Sequence, residues 1–280
     1  MTHFLNFRAA GVGGAAIDPY LLEGDGTADP PALKAVPWAE VPGIFAGRNI
    51  LFATHGFNVN YANGAKALGR LDAYLKLPDP NRFIGMLWPG DCWLPVVDYP
   101  FEGDVAIDCG RRLAQFCNTW ASSAQGFSFA SHSLGARFVL QAIMGINGRV
   151  DTACLAAGAI NCDCFTAEYA ATLGRVATVS LLASRADHVL KIAYPLGDPI
   201  ADLLHDDHTP FTPALGYGGP PTPAPAQILA PWQIAEACGY DHGNYLPSDT
   251  DDRWQKVADF MRLTFLRLPA PVPSCEPLAP

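Results

Sequence analysis

The chain has 280 residues, 50% hydrophobic and 16% charged, with a net charge of −9, enough apolar residues for a sizeable core. That balance excludes global disorder, and the lack of any Lys/Arg cluster argues against nucleic acid or an anionic membrane surface as partner. No apolar run reaches transmembrane length, so no membrane span is expected.

Residues 1–47 are rich in Gly and Pro and read as an N-terminal arm with one edge strand, His3 to Arg8. Arg48 to Asn58 (RNILFATHGFN) gives a buried strand ending in His55-Gly56-Phe57-Asn58. A helix follows from about Ala62 to Leu77, with Ala65, Leu68, Leu71 and Leu75 at helical spacing. Arg82 to Trp88 is a second apolar strand, stopped by Pro89-Gly90. Residues 91–101 read as loop, and a helix from about Glu102 to Trp120 carries Val105, Leu113, Phe116 and Cys117 on one side. Next come an apolar run, Gly126 to Ala130, and a helical pattern, LGARFVLQAIMG. Ala153–Ile160 and Ala177–Ala183 are further strands, and His188–Ala193 is a helical turn. A long Pro/Gly-rich excursion precedes a short strand, Gln227–Ala230. The last helix runs from about Asp249 to Leu266, with Asp249-Thr250-Asp251-Asp252 supplying its cap, and a Pro-rich tail (268–280) is expected to be disordered.

Strands that alternate with helices, each a continuous apolar run, predict an α/β fold: a mostly parallel twisted sheet with helices on both faces. Ligands of such sheets bind beyond the carboxyl ends of the strands. The sharpest feature lies at one of those ends. Phe127-Ser128-Phe129-Ala130 runs into Ser131-His132-Ser133-Leu134-Gly135, and a helix begins at once. A strand, a one-residue corner and a helix form a nucleophile elbow, with small Ser131 and Gly135 two positions either side of Ser133. The corner strains the backbone at Ser133 and exposes its hydroxyl, while the N–H of Leu134 points at whatever that hydroxyl attacks.

A serine hydroxyl needs a base, and the base an orienting carboxylate, in the chain order Ser, Asp/Glu, His for this kind of sheet. Asp187 follows the strand ending in Ala183, and His242 follows the Gln227–Ala230 strand. Asp187 is therefore the candidate orienter and His242 the candidate base, with Asp163 the alternative carboxylate. Phe57 is the candidate second oxyanion donor through its N–H, since Gly56 lets that backbone come close. His55 braces the same loop, and His132 packs below the nucleophile. The residues expected around a substrate are His55, Gly56, Asn58, Trp88, Trp93 and Trp232, with Tyr61 as a further aromatic. No metal is expected: Cys162-Asp163-Cys164 lacks a second ligand pair, and His205-Asp206-Asp207-His208 reads as a solvated turn.

In order along the chain, HGFNVNYANGAKAL, GMLWPGD, ASHSLGARFVLQAI, NCDCF, ASRADHVLKIA and DHGNY resemble the blocks of DUF900, a family of uncharacterised bacterial α/β hydrolases. The resemblance spans roughly residues 48–265. It implies the α/β-hydrolase fold and a serine hydrolase, with Ser133, Asp187 and His242 at the matching positions. Leu134 stands where the family usually has Met, cysteines flank Asp163, and Gly243-Asn244-Tyr245 follows the histidine.

The resulting expectation is a single α/β-hydrolase domain over 48–267, in which 194–232 forms a lid or pocket wall. Its function is ester hydrolysis through an acyl-enzyme on a small-molecule substrate, without a cofactor. A lipase, thioesterase or amidase would use the same residues, and a hydrolase-fold binding protein would lack one of them. The eight cysteines show no small-domain disulfide framework, and several sit inside apolar elements as buried free thiols do. With no targeting segment visible a reducing cytoplasm fits best, a secreted form that has lost its signal peptide being the alternative.

Overall fold

A computed structural model describes residues 1–9, 14–91, 95–193 and 212–276. In chain order the strands are β1 (Thr2–Arg8), β2 (Ala16–Asp25), β3 (Ala32–Ala35), β4 (Asn49–Thr54), β5 (Asn81–Leu87), β6 (Gly126–His132), β7 (Val150–Ala156), β8 (Val176–Ser184), β9 (Ile228–Leu229) and β10 (Gln233–Ile234). The helices are α1 (Val41–Phe45), α2 (Tyr61–Leu75), α3 (Pro95–Trp120), α4 (Gly135–Gly145), the single turn α5 (Leu215–Gly218) and α6 (Trp254–Phe265). The strands form one sheet in the order β10-β8-β7-β6-β4-β5-β1-β2-β3, with β9 also on β8. Every pairing from β10 to β1 is parallel, and only β2 and β3 add antiparallel partners.

The parallel part is apolar on both sides because both sides are covered. In β6, Phe127 and Phe129 join the cluster that packs under α1, α3 and α4, while Ala130 joins the one under α2 and α6. Asn60 starts α2 by accepting the Asn63 N–H at 2.9 Å, and Lys76 ends it in the left-handed region. The fold expected from alternating apolar runs is the one found.

Several local expectations are corrected. β1 is not an edge strand but lies between β5 and β2, so the arm extends the sheet. Its seven residues are all buried, since they pack on both faces like the central strands. The expected loop at 91–101 is already helical from Pro95, a residue well suited to a first helical turn. At the other end, Asp249 does not cap α6. Its carboxylate instead bridges Lys66 and Arg70 of α2 at 2.6 and 2.5 Å, while Asp251 pairs with Arg253, so nearby cations take the acids meant for the helix.

The described part of the tail, 268–276, is held against the domain, and 277–280 lie outside the described residues. Cys275 forms a disulfide with Cys238, Lys256 Nζ donates to the carbonyls of Ser274 (2.8 Å) and Glu276, and Ala270 and Val272 pack against the α6 cluster. Cys117, Cys154, Cys162 and Cys164 carry free thiols, whereas Cys238 and Cys275 are joined, a pair that the sequence did not suggest. Among the described residues no helix is long and apolar enough to cross a membrane.

The bond closes a loop spanning 37 positions, which restricts the unfolded chain. Cys275→Ser should lower the free energy of unfolding by about 2–4 kcal/mol, read from urea titrations. A midpoint unchanged from wild type, or one equally unmoved by reductant, would show that the bond contributes nothing.

Candidate active site

The site is assembled at the carboxyl ends of β4, β6, β8 and β10. Ser133 has φ +54°, a left-handed backbone that a non-glycine residue adopts only under constraint. The constraint is visible on every side. The Ser133 N–H donates to the Ala156 carbonyl at 3.1 Å, and its own carbonyl accepts from Ala136 and Ala159 at 3.0 and 3.2 Å. A Cβ at Gly135 would stand 2.7 Å from Thr54 Cγ2 and 2.8 Å from the His55 carbonyl, so α4 can meet β4 only with glycine there. The Leu134 N–H, at the mouth of α4, has no hydrogen-bond partner among the described residues.

Ser133 Oγ lies 2.8 Å from His242 Nε2, and His242 Nδ1 lies 2.8 Å from Asp187 Oδ2. A carboxylate can only accept, so Nδ1 carries the proton and Nε2 is left to accept from the serine hydroxyl. Asp187 is fully buried, and its second oxygen accepts the Leu190 N–H at 2.9 Å. The imidazole is thus fixed in tautomer and direction. The carboxylate on His242 Nδ1 is that of Asp187 and not the alternative, Asp163, whose backbone carbonyl accepts from Thr166 and Ala167 within its own turn.

The segment that carries His242 is held from three directions. Asp241 caps a short 3-10 turn, His242–Asn244, by accepting the His242 N–H at 2.8 Å, while Asn244 Oδ1 accepts the Asp241 N–H at 2.8 Å. Ser184, at the end of β8, donates to the Tyr240 carbonyl at 2.7 Å and accepts the Ala186 N–H at 3.1 Å, joining the Asp187 turn to the same segment. Arg253 donates to the Gly239 carbonyl, next to the disulfide. The sequence reading missed all of these; D-H-G-N is nevertheless a reciprocal cap that spacing could have revealed.

The loop after β4 approaches Ser133 closely. A Cβ at Gly56 would lie 2.8 Å from Ser133 Cβ, so the close backbone approach expected there is present. His55 is fully buried, and its Nδ1 donates to the Gly56 carbonyl at 2.9 Å. Burial lowers its pKa to about 4, leaving it neutral. Trp88 is also fully buried. It stacks on His55 with centroids 5.8 Å apart and donates Nε1 to the His55 carbonyl at 3.0 Å. It therefore supports the loop instead of lining a pocket, because just past the end of β5 its side chain joins the core. Asn58 is exposed, with φ +57° and its N–H on the Gly90 carbonyl, and Phe57 and Tyr61 are half-buried.

Unforeseen in sequence, Arg8 of β1 locks this region. It pairs with buried Asp91 and donates to the carbonyls of Trp88 (2.8 Å) and Val59 (3.4 Å).

On the other flank, residues 213–216 are pinned to the segment after β7 through Cys162 N–H to Pro213, Leu215 N–H to Ile160 and Gly216 N–H to Gly158. Trp232 is half-buried beside Gly219 at the β10 edge. Trp93 and the His205–His208 cluster lie outside the described residues. Among the described residues no group of three or more His, Cys, Asp or Glu is placed to hold a metal ion.

A strained serine between strand and helix, with a histidine and a carboxylate delivered by later strand ends of a mostly parallel sheet, defines an α/β hydrolase. The chain belongs to the DUF900 family, alpha/beta hydrolases of unknown function, whose model matches residues 45–203. The match takes in Ser133 and Asp187, and His242 lies beyond it. No curated protein and no solved structure matches the chain.

Neutral buried histidines make stability depend on pH. His55 is held at about 4 against 6.5 when unfolded, so between those values the unfolded chain binds the extra proton and stability falls as pH falls. His55→Gln should remove about 3 kcal/mol of the stability lost between pH 6.5 and 4, measured by urea titration at each pH. An unchanged slope would mean that His55 is protonated freely in the folded state.

Proposed function

We propose that the protein is a serine hydrolase that cleaves carboxylic esters of small molecules through an acyl-enzyme on Ser133. The observation that carries this reading is the unbroken chain Ser133 Oγ–His242 Nε2, His242 Nδ1–Asp187 Oδ2, both links at 2.8 Å. Ser133 attacks the ester carbonyl as His242 Nε2 takes its proton. Asp187 holds the imidazole and stabilises the imidazolium that forms. The N–H groups of Leu134 and Phe57 bind the oxyanion, each such donor being worth about 3 kcal/mol in an excluded site. The tetrahedral intermediate expels the alcohol, which leaves with the proton from His242. Water, deprotonated by the same nitrogen, then attacks the acyl-enzyme and releases the acid and Ser133.

The chain's place in an α/β-hydrolase family supports the reaction class. The pinned stretch from Pro213 to Gly216 supports a pocket wall, rather than a free lid, for that part of the 194–232 segment. The Cys238–Cys275 disulfide supports an oxidising compartment over the cytoplasm that composition suggested.

A panel of p-nitrophenyl esters, a thioester and an anilide tests this reading. Ester turnover should lead the panel. Ser133→Ala should bring it to background, and Asp187→Asn should lower kcat by about 10⁴-fold with the fold intact. Ester hydrolysis at the wild-type rate in Ser133→Ala would remove that residue from the mechanism, and turnover confined to the anilide would replace the ester reading with an amidase.

A further inference from the structure

His132, the residue before the candidate nucleophile, makes a contact that the reaction scheme above does not use. Its Nε2 lies 2.9 Å from the backbone carbonyl of His242. A carbonyl can only accept, so His132 carries its proton on Nε2 and donates it there. The two imidazoles lie 4.7 Å apart between centroids at an interplanar angle of 44°, and Tyr245 also stacks on His132 at 5.8 Å and 24°. The side of the ring bearing Nδ1 faces Gly56, where an added Cβ would come within 3.0 Å of that nitrogen. The ring is thus filed between the oxyanion-side loop and the segment that carries the base.

We propose that His132 is a positioning residue for His242, tying the backbone of the base to the rigid strand end that carries Ser133. This inference rests on the proposed Ser133 mechanism and adds a residue to it. The reason such a tie matters lies in the reaction cycle. The Ser133–His242 hydrogen bond exists only while the serine bears its hydroxyl proton, and acylation removes that donor. His242 must then still face the incoming water. The His132–carbonyl bond survives acylation, because neither partner is consumed.

Burial, followed by the neighbouring His242, pushes the pKa of His132 well below its usual value, so the ring adds no positive charge beside an imidazole that has to accept a proton. A neutral donor of this kind can hold the base without opposing its protonation.

Two substitutions separate the donor from the ring. His132→Phe keeps an aromatic ring against Tyr245 and loses the donor, whereas His132→Gln keeps an N–H near the same point and loses the ring. The Phe variant should lower kcat for a p-nitrophenyl ester about tenfold with KM within about twofold, and Gln should recover most of that loss. The second readout does not need turnover. The low-field Nδ1 proton resonance of His242, protected by Asp187, should broaden through exchange in the Phe variant and stay sharp in wild type and Gln. Wild-type kcat and a sharp resonance in the Phe variant would overturn the proposal. Equal losses of kcat in both variants with the resonance unchanged would also overturn it, leaving His132 a packing residue. Should wild type hydrolyse no ester, the mechanism falls, and the resonance alone still decides whether His132 holds His242.

Discussion

The close passage of β4, β6 and α4 at the Ser133 corner is the constraint on which the rest of the site depends. Ser133 sits at φ +54° because its N–H and carbonyl are engaged by Ala156, Ala136 and Ala159, and because Gly56 and Gly135 let two other backbones come within contact. A left-handed residue costs on the order of 1–3 kcal/mol, and it persists only where the surroundings over-determine it. Here the surroundings are the parallel sheet itself. The sheet fixes the strand ends, and the strand ends fix where serine, carboxylate and imidazole meet.

Two straps from outside the matched segment close the arrangement. From the N-terminal side, β1 brings Arg8 to Asp91 and to the carbonyls of Trp88 and Val59, steadying the loops that flank Gly56 and Phe57. From the C-terminal side, α6, Arg253 and the Cys238–Cys275 bond hold the segment leading to His242. Apart from the Arg8–Asp91 ion pair and the disulfide itself, these contacts fall on backbone carbonyls, so they set where loops lie without supplying groups to the reaction. The family match ends at residue 203, yet the geometry of its serine depends on residues before 45 and after 203.

The sheet, the elbow and the three polar residues were legible because each leaves a local mark. The parallel strands are continuous apolar runs, the elbow needs small residues at 131 and 135, and the order Ser, Asp, His follows from strand ends. What was not legible depends on contacts distant in sequence. Nothing near Arg8 announces Asp91, and nothing near Cys275 announces Cys238. β1 looked like an edge because its partner β5 lies some eighty residues away. Asp249 looked like a helix cap because local pattern cannot see Lys66 and Arg70. Trp88 carries the same ambiguity: an aromatic at a strand end suits a pocket, and only its burial against His55 assigns it to the core.

The central claim is that the Ser133 hydroxyl is activated by its geometry, and labelling with a fluorophosphonate tests it most directly. Such a probe phosphonylates only a serine whose proton a neighbouring base can take. Peptide mass mapping should find one adduct, on the peptide containing Ser133, and replacing His242 with alanine should abolish it. A folded sample that takes no label at Ser133, or that labels equally without His242, would contradict the account.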